Sequence, residues 1–307
     1  MKSLSQPFVS VIIPVFNDRD RLKTCLTSLE KQSYPKNLYE VIVIDNGSDS
    51  QQNIAEVIAQ FKGVLATYES CPGSYAARNK GIAIAKGEVI AFTDADCIPA
   101  EDWIEKGVKN LLATPNCGLV VGKIEIFFKN TNRLTLVEQY ESIMAFQQKE
   151  HLEKYKYGST ANVFTFKSVL NRVGFFDANL KSNGDFEWGR RVAAAGYQQV
   201  YADEVCVAHP ARYSFAQLYK RTVRLAGGIY DAQIQKCDSY IQRNKLFLRS
   251  VLEDFAAPIL CFREIFFNNN LKGFSQKITI YLIESAVRYI RAMEKIRLKL
   301  GGVSIRG

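Results

Sequence analysis

Short β-branched runs alternate with helix-like stretches through the first ninety residues. Phe8–Pro14, Tyr39–Ile44, Val64–Tyr68 and Glu88–Thr93 are apolar and β-branched, the pattern of strands buried on both faces. Between them, Asp18–Lys31, Ser50–Phe61 and Ser74–Lys86 read as helices. In the last of these, Ala77, Gly81, Ile84 and Ala85 recur at helical spacing. Strands alternating with helices imply crossover connections, and hence an α/β fold with a mostly parallel sheet covered by helices on both faces.

The middle of the chain is mixed. Leu119–Phe128 predicts a strand and Arg133–Lys149 a helix. Gly184–Ala195 predicts another helix, stopped by Gly196, and Tyr197–Val207 an extended segment. From Ser214 to the end the helical pattern dominates, with no internal repeat and no low-complexity linker. Charge sharpens this division. Residues 1–209 carry 23 Lys and Arg against 24 Asp and Glu, whereas residues 210–307 carry 17 against 7, so the chain's net charge of +9 comes from its last third. The expected organisation is a domain over residues 1–213 followed by a basic helical extension over 214–307.

Composition excludes several classes. A chain of 307 residues that is 47% hydrophobic can bury a large core and is not intrinsically disordered. No apolar run approaches the length of a membrane span; Phe255–Phe262 is eight residues and contains Pro258. Met1–Pro7 is polar and lacks the apolar stretch of a signal peptide, which predicts a protein that begins inside the cell. Seven scattered cysteines, odd in number, fit a reducing compartment and neither a zinc site nor a disulfide framework.

In open parallel sheets ligands bind beyond the carboxyl ends of the strands. Two acidic signals stand there: Asp45 after VIVI, and Asp94-Ala95-Asp96 after VIAFT. Two carboxylates one residue apart at a strand end can share a hard divalent cation, Mn²⁺ or Mg²⁺, that keeps other positions for phosphate oxygens. The same residues also read as a helix cap or a solvated turn, and Asp45 as the turn-forming Asp of DNGS.

Taken in register, VSVIIPVFNDRDRLKTCLTSL, VIVIDNGSDS and GSYAARNKGIAIAKGEVIAFTDADCIP resemble the nucleotide-sugar half of family 2 glycosyltransferases. TANVFTFKSVLNRVGFFDANL followed by GDFEWGRR resembles the acceptor half, and together the likeness covers roughly residues 8–215. It implies a GT-A type, Rossmann-like fold and an inverting sugar transfer from a nucleotide sugar, taken as a UDP-sugar, to a saccharide or lipid-linked acceptor in cell-surface glycan assembly. By the same likeness Pro14 and Phe16 border the nucleotide pocket, and Asp45 bonds the base or ribose. Arg78 pairs with the nucleotide or its phosphates. Asp96 binds the metal, and Asp94 contacts ribose or metal-bound water. Asp185 matches the second acid of the family's Glu-Asp pair and is the expected catalytic base, with Glu187 in reserve; Gly184 stands where the first acid belongs. His209 is a metal ligand on this reading, or a buried hydrogen-bonding residue.

Other classes remain in view. The missing first acid keeps a catalytically silent sugar-nucleotide or glycan-binding module open, and a nucleotidyltransferase is a further alternative that lacks its Gly-rich loop after the first strand. No G-x-G-x-x-G, P-loop or nucleic-acid motif is present, so no nucleic-acid partner is expected. Residues 275–300 predict an amphipathic helix with Ile283, Val287, Ile290, Met293, Ile296 and Leu300 on one side. Arg288, Arg291, Lys295 and Lys299 form a stripe opposite, facing water or an anionic membrane. The location that follows is cytoplasmic, peripheral on the inner face of the membrane.

Overall fold

The computed structural model describes residues 6–235, 237–267, 271 and 273–305; most of the polar N-terminal segment lies outside them. The chain forms two compact units. Residues up to Glu125, with Phe146–Asn179 and Gly184–Pro210, make the first. Ile126–Ala145, Leu180–Asn183 and the residues from Ala211 on make the second.

The first unit is built on a mixed, mostly parallel sheet. Its opening strands are β1 (Val9–Val15), β2 (Tyr39–Asp45), β3 (Val64–Tyr68) and β4 (Val89–Thr93), with helices α1 (Arg19–Leu29), α2 (Ile54–Ile58) and α3 (Ser74–Ile84) as crossovers. There follow β5 (Ile98–Pro99), α4 (Trp103–Ala113), β6 (Cys117–Phe127), α5 (Leu136–Met144), which belongs to the second unit, α6 (Gln148–Tyr155), β7 (Asn162–Phe166), α7 (Lys167–Val173), α8 (Gly184–Ala194) and β8 (Gln198–Pro210). The strand order is β3-β2-β1-β4-β7-β6-β8-β5. β1 pairs in parallel with both β2 and β4, so the strand order reverses at β1. β7 lies antiparallel to β4 and to β6. Burial explains the composition of the strands: β1 and β4 are covered on both faces and are almost wholly apolar, whereas the edge strand β3 exposes Leu65 and Tyr68.

Two predicted helices are broken. Ser50–Phe61 is a single 3-10 turn followed by the short α2, hinged at Asn53, whose left-handed φ of 45° interrupts the helical path. Arg133–Lys149 divides into α5 and α6 around Phe146, at φ 48°. The start of α5 is fixed at Thr135 by a reciprocal cap with Glu138.

The second unit contains α9 (Phe215–Ile229), a π-helical turn over Tyr230–Gln235, α10 (Tyr240–Phe266) and α11 (Phe274–Lys299). α5, α9, α10 and α11 share a core of Val137, Tyr140, Leu218, Ile265, Ile283 and Val287. The predicted basic stripe does not face outward. Lys295 is 1% exposed and donates to Asp254 Oδ2 of α10 at 2.6 Å and to Ser250 Oγ at 2.6 Å. Arg291 approaches the same carboxylate at 3.4 Å, Arg288 binds Glu284 at 2.5 Å, and Lys299 donates to Asn244 of α10 at 2.5 Å. The buried carboxylate of Asp254 turns the stripe inward, because a buried charge needs a hydrogen-bonded partner. Met293 and Leu300 are correspondingly left in solvent. Among the described residues no helix is long and apolar enough to cross a membrane.

Candidate functional site

The site is assembled at the carboxyl ends of β1, β2 and β4, beside the point where the strand order reverses. Asp45 ends β2, and its Oδ1 accepts the N–H of Ser48 at 3.0 Å, which fixes the carboxylate within the DNGS turn. The loop after β1 is tied to the same turn. Asn17 donates to Asp49 Oδ2 at 3.0 Å and accepts from the Asp49 N–H at 2.8 Å. Pro14 is half-buried in β1, and Phe16 is exposed at its end.

Asn46 is a residue that motif reading passes over. Its buried side chain donates to the carbonyls of Glu69 and Cys71, each at 2.8 Å, and accepts from the Gly73 N–H at 2.8 Å. It therefore sets the loop that launches α3. From α3 the buried Arg78 reaches Asp94 in an ion pair, while its Nε has no hydrogen-bond partner. The guanidinium also lies 5.7 Å from the centre of the Tyr75 ring.

Asp96 faces His209, which β8 supplies; Oδ2 lies 3.3 Å from Nε2. His209 is buried, and its Nδ1 is 2.8 Å from the carbonyl oxygen of Pro210. A carbonyl only accepts, so Nδ1 carries a proton, and in the neutral imidazole Nε2 then offers its lone pair beside the carboxylate. Two acceptors converging in this way fit a cation between them. The carboxylate oxygen suits Mn²⁺ or Mg²⁺, and the imidazole nitrogen favours the softer Mn²⁺ of the two. Arg21 also approaches Asp96 Oδ2, at 3.5 Å. Among the described residues no group of three His, Cys, Asp or Glu forms a ready-made metal set. A cation here would take its other ligands from water or phosphate.

Asp185 sits in the first turn of α8, where its Oδ1 accepts the Phe186 N–H at 2.9 Å and the Tyr75 hydroxyl at 3.2 Å. Burial pushes its carboxyl above the ordinary carboxylate range, opposed by the Phe186 N–H, the positive charge of Arg78 and the Tyr75 hydroxyl. Glu187 is engaged differently. It binds Arg191 through both oxygens, at 2.7 and 2.9 Å, and Arg191 also bonds the carbonyls of Val173, Gly174 and Phe175.

The structure accounts for Gly184. A Cβ at this position would lie 2.7–2.8 Å from atoms of the Tyr75 ring. The ring fills the space that a side chain at 184 would need, and its hydroxyl reaches the neighbouring Asp185. Tyr75 was not legible as a site residue, since it lies on a helix 110 positions away in sequence. The one available signal was the glycine itself, standing where the family pattern has an acid.

Three comparisons bear on this arrangement. Residues 10–179 match the pattern of Glycosyl transferase family 2. The chain is 40% identical over 227 residues to glycosyltransferase AglE of Haloferax volcanii, covering 72% of this chain and 73% of that one. It is 27% identical over 210 residues to the pre-mycofactocin glycosyltransferase of Mycobacterium tuberculosis, covering 66% of this chain and 43% of that one. Among solved structures, mannosyltransferase PcManGT from Pyrobaculum calidifontis, in complex with GDP-Man and Mn²⁺, matches with a TM-score of 0.66. At 17% identity, over 96% of this chain and 87% of that one, this is a likeness of fold.

Proposed function

The chain belongs to glycosyl transferase family 2 and is a glycosyltransferase of GT-A fold, and from this premise we propose that it transfers a sugar with inversion from a nucleoside-diphosphate sugar to a saccharide or lipid-linked acceptor. The carrying observation is the convergence of Asp96 and His209 at the strand ends, with Asp185 held separately by Tyr75. We take the donor to be a UDP-sugar, the pathway to be cell-surface glycan assembly, and the enzyme to work at the cytoplasmic face.

Pro14 and Phe16 border the base, and the oriented Asp45 carboxylate accepts from base or ribose. Asp94 faces the ribose, positioned by Arg78, which acts through that carboxylate. Asp96 and His209 hold the divalent cation. When bound, such a cation neutralises the charge of the departing diphosphate.

Asp185 is the base. The acceptor hydroxyl oxygen forms a bond to the anomeric carbon as the bond from that carbon to the diphosphate oxygen breaks, and the hydroxyl proton passes to Asp185. Holding both substrates in line supplies much of the remaining rate. Glu187, bound to Arg191, anchors α8 to the Val173–Phe175 segment.

Calorimetric titration of UDP and GDP, with and without Mn²⁺, tests the reading. Metal-dependent binding of one nucleotide is expected, and it names the donor class. Absence of binding by either nucleotide under both conditions overturns the proposal.

A smaller effect isolates Tyr75. A Tyr75→Phe variant keeps the ring that packs against Gly184 and loses the hydroxyl bonded to Asp185. A hydrogen bond to a charged group contributes about 1.5–3 kcal/mol, so kcat at neutral pH should fall about ten- to a hundredfold. The hydroxyl favours the ionised carboxyl, so its removal raises the Asp185 pKa further. The acid limb of the kcat/KM profile should therefore move to higher pH. An unshifted limb means that Tyr75 is only packing.

A further inference from the structure

The hairpin of α10 and α11 buries charged side chains beside its apolar core and leaves a second set of apolar side chains outside. Asp254, Glu284, Glu294 and Lys295 are buried. In the same two helices Ile241 is 78% and Ile259 77% exposed, and Leu248, Leu252, Phe255 and Phe262 are exposed with them. At 100° per residue these six side chains fall on one strip along α10, whose 27 residues extend about 40 Å. Lys245, Arg249 and Arg263, all exposed, flank that strip on one side. α11 continues it with exposed Leu282, Tyr289 and Met293, and the two helices meet at Phe255 and Tyr289, whose rings are 5.9 Å apart.

An exposed apolar strip of this length is far beyond the scattered single residues ordinary for a surface. We propose that the outer face of the α10–α11 hairpin lies flat on an anionic lipid bilayer. Charge complementarity selects this occupant. The two helices carry ten Lys and Arg against five Asp and Glu, and three of those acids are buried. Arg249 pairs with the exposed Glu253 at 2.7 Å, so Lys245 and Arg263 lead the basic excess that the rim presents to whatever the strip contacts. Apolar side chains would enter the acyl boundary while the flanking cations reach the headgroups, the arrangement of an in-plane amphipathic helix. A second copy of the chain would bring the same net positive charge against the first, which disfavours self-pairing. The face differs from the basic stripe of α11, which is consumed by Asp254, and the inference does not depend on the identity of the donor or on catalysis.

The test is co-sedimentation of the full chain with vesicles of phosphatidylcholine alone and of three parts phosphatidylcholine to one part phosphatidylglycerol. Wild type should bind the anionic vesicles and bind the neutral ones weakly. Leu252→Glu and Ile259→Glu alter exposed positions, so the fold should persist, as circular dichroism would show. Each should lower vesicle affinity about tenfold or more. Joint replacement of Lys245, Arg249 and Arg263 by Gln should abolish the preference for anionic vesicles. Failure of wild type to bind either vesicle, or equal binding by the Glu variants, overturns the proposal. So does a wild-type dimer in light scattering that Leu252→Glu converts to monomer, since the face would then belong to a second copy.

Discussion

An Asp185→Asn variant should retain donor binding and lose about 100- to 10,000-fold in kcat, the range over which a positioned general base acts. The substitution preserves shape and the capacity to accept from the Phe186 N–H and the Tyr75 hydroxyl, so α8 and its first turn are expected to remain in place. Only proton acceptance is lost. Calorimetry on donor and rate measurements at saturating donor and acceptor separate the two effects. For wild type, the active form of the base is the carboxylate. Because burial raises its pKa, activity should fall with acidification at a pH above that of an exposed Asp, about 3.9. Unchanged turnover in the variant removes Asp185 from the mechanism. Wild type that binds donor and transfers to no acceptor in a broad panel revives the silent-module alternative that Gly184 raises.

An Asp96→Ala variant should lose metal-dependent nucleotide binding by about 100-fold or more, exceeding the 10- to 100-fold typical when a residue merely supporting a ligand is removed. With Asp96 gone, His209 alone faces the cation position, and a single imidazole holds Mn²⁺ or Mg²⁺ poorly. Removal of metal from wild type with a chelator should reproduce the loss, and excess Mn²⁺ should restore wild type and not the variant. Nucleotide affinity indifferent both to chelator and to the substitution would place the cation elsewhere or remove it from the reading.

The strand-end acids were legible because the signal is local. A run such as VIAFT becomes a buried strand through its own composition, and the next residues must then emerge at the carboxyl end of the sheet. The same reasoning located β1, β2 and β3 within a residue or two. What the pattern could not provide was partnership across distance. Tyr75 meets Asp185, and Asn46 meets Gly73, through packing that no periodicity encodes. The α11 stripe failed for the same reason. Its spacing identified an apolar side that does pack inward at Ile283 and Val287, but that the basic side also turns inward depends on Asp254 of another helix. β7 was missed because NVFTF is short and directly precedes a helix, and only its antiparallel fit between β4 and β6 makes it a strand.

That placement of β7 also orders assembly in time. β4 is complete at Thr93, yet its second edge is covered only by Asn162–Phe166, about seventy residues later. At about 5–20 residues per second of synthesis, this leaves the edge of a largely apolar strand open for several seconds on a growing chain. His209 arrives later still, with the strand that covers β5, so the pair it forms with Asp96 closes among the last features of the first unit. Ribosome-bound chains halted between residues 93 and 162 should therefore recruit chaperones strongly and bind nucleotide weakly, whereas chains released through residue 210 should do the reverse. The topology that places the site between early and late strands makes its completion a report that the whole first unit has folded.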